Sequence, residues 1–240
     1  MYFTPGTTQF KLFGGEHITV MLLLLLIYIG LYLGRSVLRR DTVDRRMRLG
    51  IILLILIEEI SFNAYRIGNG IWMLETSLPL HYCNMMMYAS IYLMWTGKRS
   101  VFELVYLFGL AGTIQAIVTP ALQEGFPHFR FIQFYMAHGL IIFSGLYYVF
   151  VHGYRPDLNS VKRTFILINV SIPPIMLINW LTGGNYNNLN RVPDVPTLID
   201  FLGPWPYYLI PLEVLAILFL LLAYAPFAVI RSLEAGKGED

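Results

Sequence analysis

Residues 16–48 read EHITVMLLLLLIYIGLYLGRSVLRRDTVDRRMR. The stretch opens with nineteen residues whose only charged side chain is Glu16 and closes on Arg35, Arg39, Arg40, Arg45, Arg46 and Arg48. An apolar run of that length matches the hydrocarbon thickness of a bilayer when helical. No basic region precedes it and no small-residue cleavage site follows it, so it reads as a retained membrane helix rather than a secretory leader. The arginine cluster then sets a direction, because short loops rich in Lys and Arg stay on the cytoplasmic side.

Working outward, the same pattern repeats. Apolar segments are predicted at residues 16–38, 48–67, 78–96, 101–119, 130–151, 164–182 and 206–230. Between them, alternate loops carry the basic residues: the arginines above, then Lys98 and Arg99, then Arg155, Lys162 and Arg163, then Arg231 and Lys237. The intervening loops hold only Lys11, Arg130 and Arg191, while Arg66 lies within a helix. The expectation is an all-α membrane protein. It is a seven-transmembrane-helix bundle forming one domain over residues 1–240, with its N-terminus outside and its C-terminus cytoplasmic, in the plasma membrane. Composition agrees, at 56% hydrophobic, 13% charged and mean hydropathy +0.59. A single cysteine rules out an intrachain disulfide framework, and no metal spacing, phosphate loop or nucleic-acid-binding arm is present. No cofactor or metal is expected, and membrane phospholipid is the expected partner.

Polar residues placed at membrane depth need a partner or a task. Counted at the helical rise from the outer helix ends, His138 falls about 12 Å deep, Glu213 about 10 Å and Cys83 about 8 Å. Arg66, His81, Asn84, Gln115 and Asn179 share that outer half. Glu59, Asn63 and Arg66 follow i, i+4, i+7, so an ion pair of Arg66 with Glu59, or with Glu213, is expected. Pro79 suits a first helical position, which would place Cys83 about one turn into its helix. His81 and Cys83 point about 200° apart, so a base for the thiol must come from another helix. His17, His128 and His152 near helix ends carry no expected task. The 183–205 loop is long, and residues 196–203 read as a short helix from Pro196 to Gly203 within a semi-rigid flap.

The stretch Leu78-Pro79-Leu80-His81-Tyr82-Cys83-Asn84 resembles the Leu-Pro-Leu-His-x-Cys-Asn signature of the YwaF family of bacterial integral membrane proteins. Three further blocks are similar in the same order: 108–115 closed by Thr119-Pro120, Ala137-His138-Gly139-Leu140, and 202–208. An animal branch of that family acts as a phospholipid acyltransferase. The resemblance implies Cys83 as the acyl carrier and His138 as its base, with His81 matching the block's own histidine. Substrate contacts are then expected from His81, Asn84, Arg66, Gln115 and Glu213. A non-enzymatic protein that binds or transports a small polar ligand is the alternative, since intramembrane Glu and His serve transporters equally.

Overall fold

The computed structural model describes residues 8–193 and 198–236. Those residues are helical apart from turns and one isolated bridge between Gln9 and Glu124. The order is α1 (Gly15–Leu38), α2 (Asp41–Gly68), α3 (Leu74–Ser77), α4 (Tyr82–Thr96), α5 (Arg99–Leu104), a π-helical turn (Val105–Gly109), α6 (Leu110–Val118), α7 (Phe129–Phe150), α8 (Leu158–Thr182) and α9 (Leu209–Gly236). Single 3-10 turns at Tyr186–Asn188 and Leu198–Leu202 lie between α8 and α9.

Among the described residues, five helical stretches are long and apolar enough to cross a membrane: α1, the continuous run Arg99–Val118, α7, α8 and α9. α2 carries charges along its length, and α4 has only 15 residues. The most buried of the five is α7, which packs against α1, α2, α4 and α6. α1 and α9 are the most open and present Leu22, Leu26, Leu33, Val214 and Leu222 outward. An apolar exterior around a partly polar interior is what a bilayer solvent selects.

Side-chain bridges define two ends of the bundle. At one end, Arg39 donates to the carbonyls of Phe150 and Val151, and Arg48 to that of Met94. There also Tyr154 donates to Gly97, and Arg231 to Pro156. This end collects the basic loops. At the other end, His17 bonds Ile117, Tyr65 stacks on Phe129, and Tyr186 joins residues 74–78. Each long helix therefore runs from one end toward the other.

Several boundaries differ from expectation. α2 starts seven residues before the expected Arg48, because its first turns form the polar basic-end segment rather than membrane core. α8 starts at Leu158, six residues before the expected Thr164. Asp157 accepts the Ser160 N–H at 2.7 Å while the Asp157 N–H donates to Ser160 Oγ at 2.9 Å, a reciprocal cap that nucleates the helix in polar surroundings. Burial acts to raise the Asp157 carboxyl, but the Ser160 hydrogen bonds and the charges of Arg163 and Arg231 outweigh it and hold the group below its ordinary value. α9 starts at Leu209 rather than Pro206. The expected short helix at 196–203 is a 3-10 turn over Leu198–Leu202, followed by Gly203 at φ +103; Pro196 and Thr197 lie outside the described residues.

Close approach between helices depends on small residues. At Gly109, an added Cβ would stand 2.8 Å from Ile141 Cγ2, with Met86 Cγ at 3.9 Å. The π turn that contains Gly109 also presses Phe108 edge-on against Tyr82, with ring centroids 5.0 Å apart. Single π turns inside α-helices recur at functional places.

Candidate functional site

The turn before α4 is built by the chain that follows α8. Leu78 and His81 are extended, so Pro79 sits in a turn and helix begins only at Tyr82. The cause is tertiary. Asn187 Oδ1 accepts the Tyr82 N–H at 2.8 Å, and Asn187 Nδ2 donates to the Leu80 carbonyl at 2.8 Å. Tyr186 Oη accepts the Leu78 N–H at 2.9 Å and donates to the Leu74 carbonyl at 2.6 Å. Asn179, fully buried, holds both the N–H and the carbonyl of Tyr186. The 183–193 part of the long loop is thus a brace rather than a free flap.

This brace corrects the placement of Cys83, which is the second residue of α4 and not a turn inside it. The Met85 N–H is taken by the His81 carbonyl. Among the described residues the Asn84 N–H has no acceptor, as expected of a first-turn donor. His81 belongs to the brace: its Nδ1 accepts the Asn187 N–H at 3.4 Å, and its ring meets Tyr186 edge-on at 5.1 Å.

The relation between Cys83 and His138 follows from helix register. α4 and α7 both run from the braced end toward the basic end. Near the basic end, Tyr148 Oη donates to the Leu93 carbonyl at 2.9 Å, a pair 55 residues apart in sequence. Two turns nearer the brace, Met86 and Ile141 meet at Gly109. They are separated by the same 55 residues, as are Cys83 and His138. Parallel helices with equal rise keep such an offset level along their length. Extended one turn toward the braced end, the same offset pairs Cys83 with His138.

His138 is buried, and its Nδ1 lies 2.7 Å from the Phe134 carbonyl. A carbonyl only accepts, so Nδ1 carries the proton and Nε2 presents a lone pair. The Phe134 ring packs on the imidazole at 4.2 Å and fixes its plane. Cys83 is partly buried and packs against the main apolar cluster of the bundle. No hydrogen bond joins its Sγ to a histidine among the described residues.

The remaining expected site residues divide. Arg66 forms no ion pair within 4 Å among the described residues; its guanidinium lies 3.9 Å over the Phe62 ring. The expected pairing fails because Glu59 accepts from Asn63 at 2.9 Å and from Tyr88 at 2.9 Å instead. Glu213 is held by Asn169 Nδ2 at 2.9 Å, away from Arg66 and the histidines. Gln115 lines an apolar cavity of about 510 Å³ between α6 and α9, together with Tyr106, Ile114, Phe219 and Pro226. Cys83 and His138 are not among its walls.

Some residues acquire tasks that sequence reasoning withheld. His17 is fully buried and bridges the Phe13 N–H to the Ile117 carbonyl. His128 accepts the Arg130 N–H and caps α7. His152 reaches Asp44 at 2.9 Å. Glu58, 1% exposed, accepts from Gln133, whose carbonyl accepts from Arg130. Glu58 and Gln133 were visible as polar residues in apolar runs, but the helix partner of each was not.

Residues 12–224 match the TMEM164 family, and the chain belongs to that family. It is a multi-pass α-helical membrane protein. No curated protein and no solved structure matches it.

Proposed function

We propose that this TMEM164-family protein is a phospholipid acyltransferase or hydrolase of the plasma membrane, working through a Cys83 thioester with His138 as base. In this reading α2 and α4 complete a seven-span bundle. The basic end faces the cytoplasm and the braced end faces outward, following the alternation of basic loops. The observation that carries the chemistry is the common 55-residue offset along α4 and α7, which extrapolates to Cys83 and a histidine whose Nδ1 is tied to a carbonyl and whose Nε2 has no partner among the described residues. The resemblance of 78–84 to the YwaF signature points the same way.

The steps balance as follows. His138 Nε2 takes the Cys83 thiol proton, and Sγ attacks the ester carbonyl carbon of a glycerophospholipid. The Asn84 N–H donates to the developing oxyanion. The intermediate collapses with loss of the lysophospholipid alkoxide, which takes the proton from Nε2 and leaves an acyl thioester on Cys83. An acceptor hydroxyl, from a second lysolipid or from water, then attacks the thioester as Nε2 takes its proton. That proton passes to the departing Cys83 sulfur. His81 acts as a positioning residue through Asn187.

A second reading, ligand binding without covalent chemistry, is favoured by one observation: Sγ and the imidazole are not hydrogen-bonded. Intact-mass analysis of purified protein incubated with mixed phospholipids separates the two. An acyl adduct that maps to Cys83 and disappears in Cys83→Ala supports acyl transfer. Unchanged lipid turnover in Cys83→Ala overturns it.

A further inference from the structure

Few basic residues serve the braced end, yet two of them converge there. Arg66 closes α2 and Arg130 opens α7. The guanidinium carbons lie 3.9 and 4.4 Å from the centroid of the same Phe62 ring, which caps their separation at about 8.3 Å. Phe62 is buried and cannot swing away. Tyr65 stacks on Phe129 at 4.8 Å and meets His128 edge-on, locking the two helix ends that carry the arginines.

Two cations so close repel each other unless an anion stands between them or beside them. The nearby carboxylates are committed elsewhere. Glu59 accepts from Asn63 and Tyr88, and Glu58 accepts from Gln133. Gln133 turns its carbonyl to Arg130 and its amide to Glu58, so Arg130 is oriented by a neutral group rather than neutralised. Glu58 and Glu124 act on Arg130, and Glu58 and Glu59 on Arg66, only through space. Neither arginine has an ion-pair partner within 4 Å among the described residues. Arg130 stands about two turns before His138 on α7, about 12 Å along the helix.

We infer that Arg66 and Arg130, stacked on Phe62, form a phosphate-binding subsite at the braced end that holds the headgroup phosphodiester of a glycerophospholipid about two turns of α7 from His138. Guanidinium forks match phosphate oxygens in pairs, and aromatic stacking pre-orders their planes. The lipid identity of the ligand rests on the acyl-transfer reading; the anion chemistry rests on the arginine pair alone.

The test uses the full chain in dodecyl maltoside micelles and measures binding of dioleoylphosphatidylcholine, dioleoylglycerol and inorganic phosphate by native mass spectrometry. Arg66→Gln and Arg130→Gln are each expected to weaken phosphatidylcholine binding about tenfold, the loss of one charge-assisted contact, while dioleoylglycerol binding is unchanged. Equal phosphatidylcholine binding by wild type and both variants overturns the subsite. Arg130 is tied to Gln133, so Arg130→Gln can disturb the fold. The Arg66 guanidinium makes no hydrogen bond among the described residues, so Arg66→Gln decides alone if the other variant fails to fold. Inorganic phosphate bound with the same Arg66 dependence, without preference for phosphatidylcholine, overturns the lipid assignment and keeps the anion site. A phosphate-free acyl thioester separates this proposal from the nucleophile reading. Labelling of Cys83 that persists in Arg66→Gln is expected. No labelling in any protein, with headgroup discrimination intact, removes the acyl-transfer reading and leaves the subsite standing.

Discussion

At the basic end of the bundle, buried charge finds an opposite charge in direct contact; at the braced end, among the described residues, the two arginines do not. Asp44 receives Tyr147 Oη at 2.7 Å and His152 Nε2 at 2.9 Å, and Arg48 Nε lies 3.1 Å from its other oxygen. Glu103, 5% exposed, takes Arg163 through both carboxylate oxygens at 2.8 Å. At the braced end, among the described residues, Arg66 and Arg130 share a ring instead of a carboxylate, and neither His138 Nε2 nor the Asn84 N–H has a hydrogen-bond partner. Taking charge out of water is costly, so a fold that pairs its charges at one end and not at the other leaves the second end able to take a counter-ion. The paired end holds the helices in place, and under the proposed function the open end holds the lipid.

Breaking the open end is expected to cost activity rather than fold. His138→Ala is expected to lower acyl transfer to Cys83 by about 10²- to 10⁴-fold, the usual contribution of a general base. Its thermal unfolding should shift far less, and single-turnover adduct formation followed by mass spectrometry reads the rate.

The paired end should respond in the opposite sense. Arg163→Ala strands the buried Glu103 carboxylate and is expected to destabilise by about 2–3 kcal/mol, below the full cost of breaking a buried pair because Arg163 is itself half exposed. Arg66→Gln, by contrast, should unfold within about 0.5 kcal/mol of wild type, as substitutions away from such paired features do. Chemical denaturation in micelles of both variants sharpens the contrast, and equal losses would erase it.

The register between the two ends can be disturbed directly. Gly109→Ala places a methyl 2.8 Å from Ile141 Cγ2 and should cost about 1–2 kcal/mol through overpacking. It should also slow Cys83 acylation, because α4 and α7 are pushed apart one turn below the reactive level. Unchanged acylation with lowered stability would detach the chemistry from the register argument.

The smallest effect belongs to the α8 cap. Asp157→Ala is expected to cost about 1 kcal/mol at neutral pH. The folded carboxyl is held below its ordinary value, so its contribution is present above the unfolded-state value. It fades as pH falls through the lower folded one. Wild type and variant should therefore converge in stability on acidification, while acyl transfer at neutral pH is the same in both.

Much of this architecture was legible without coordinates. Bilayer-length apolar runs, punctuated by arginine clusters, announce a helical membrane protein and approximate most helix positions. Those signals are local: a 20-residue hydropathy window needs no knowledge of neighbours. The site was legible as a set of residue types at one depth, with Cys83 and His138 singled out by a motif. What failed was whatever depends on a distant segment. Pro79 suggested a helix start that Asn187, more than a hundred residues later, moves to Tyr82. The i, i+4, i+7 spacing suggested a Glu59–Arg66 pair that Tyr88 and Phe62 divert.

The sequence by itself determined the solvent this protein lives in and the ladder of helices that crosses it, because hydrophobic length and charge alternation are properties of short segments. Only the tertiary structure decided the 55-residue offset between α4 and α7 and that Arg66 and Arg130 meet on Phe62. Both depend on how far one helix slides against another. That is set by where a glycine admits a neighbour and where a tyrosine finds a carbonyl 55 residues away, neither of which leaves a local trace in the chain.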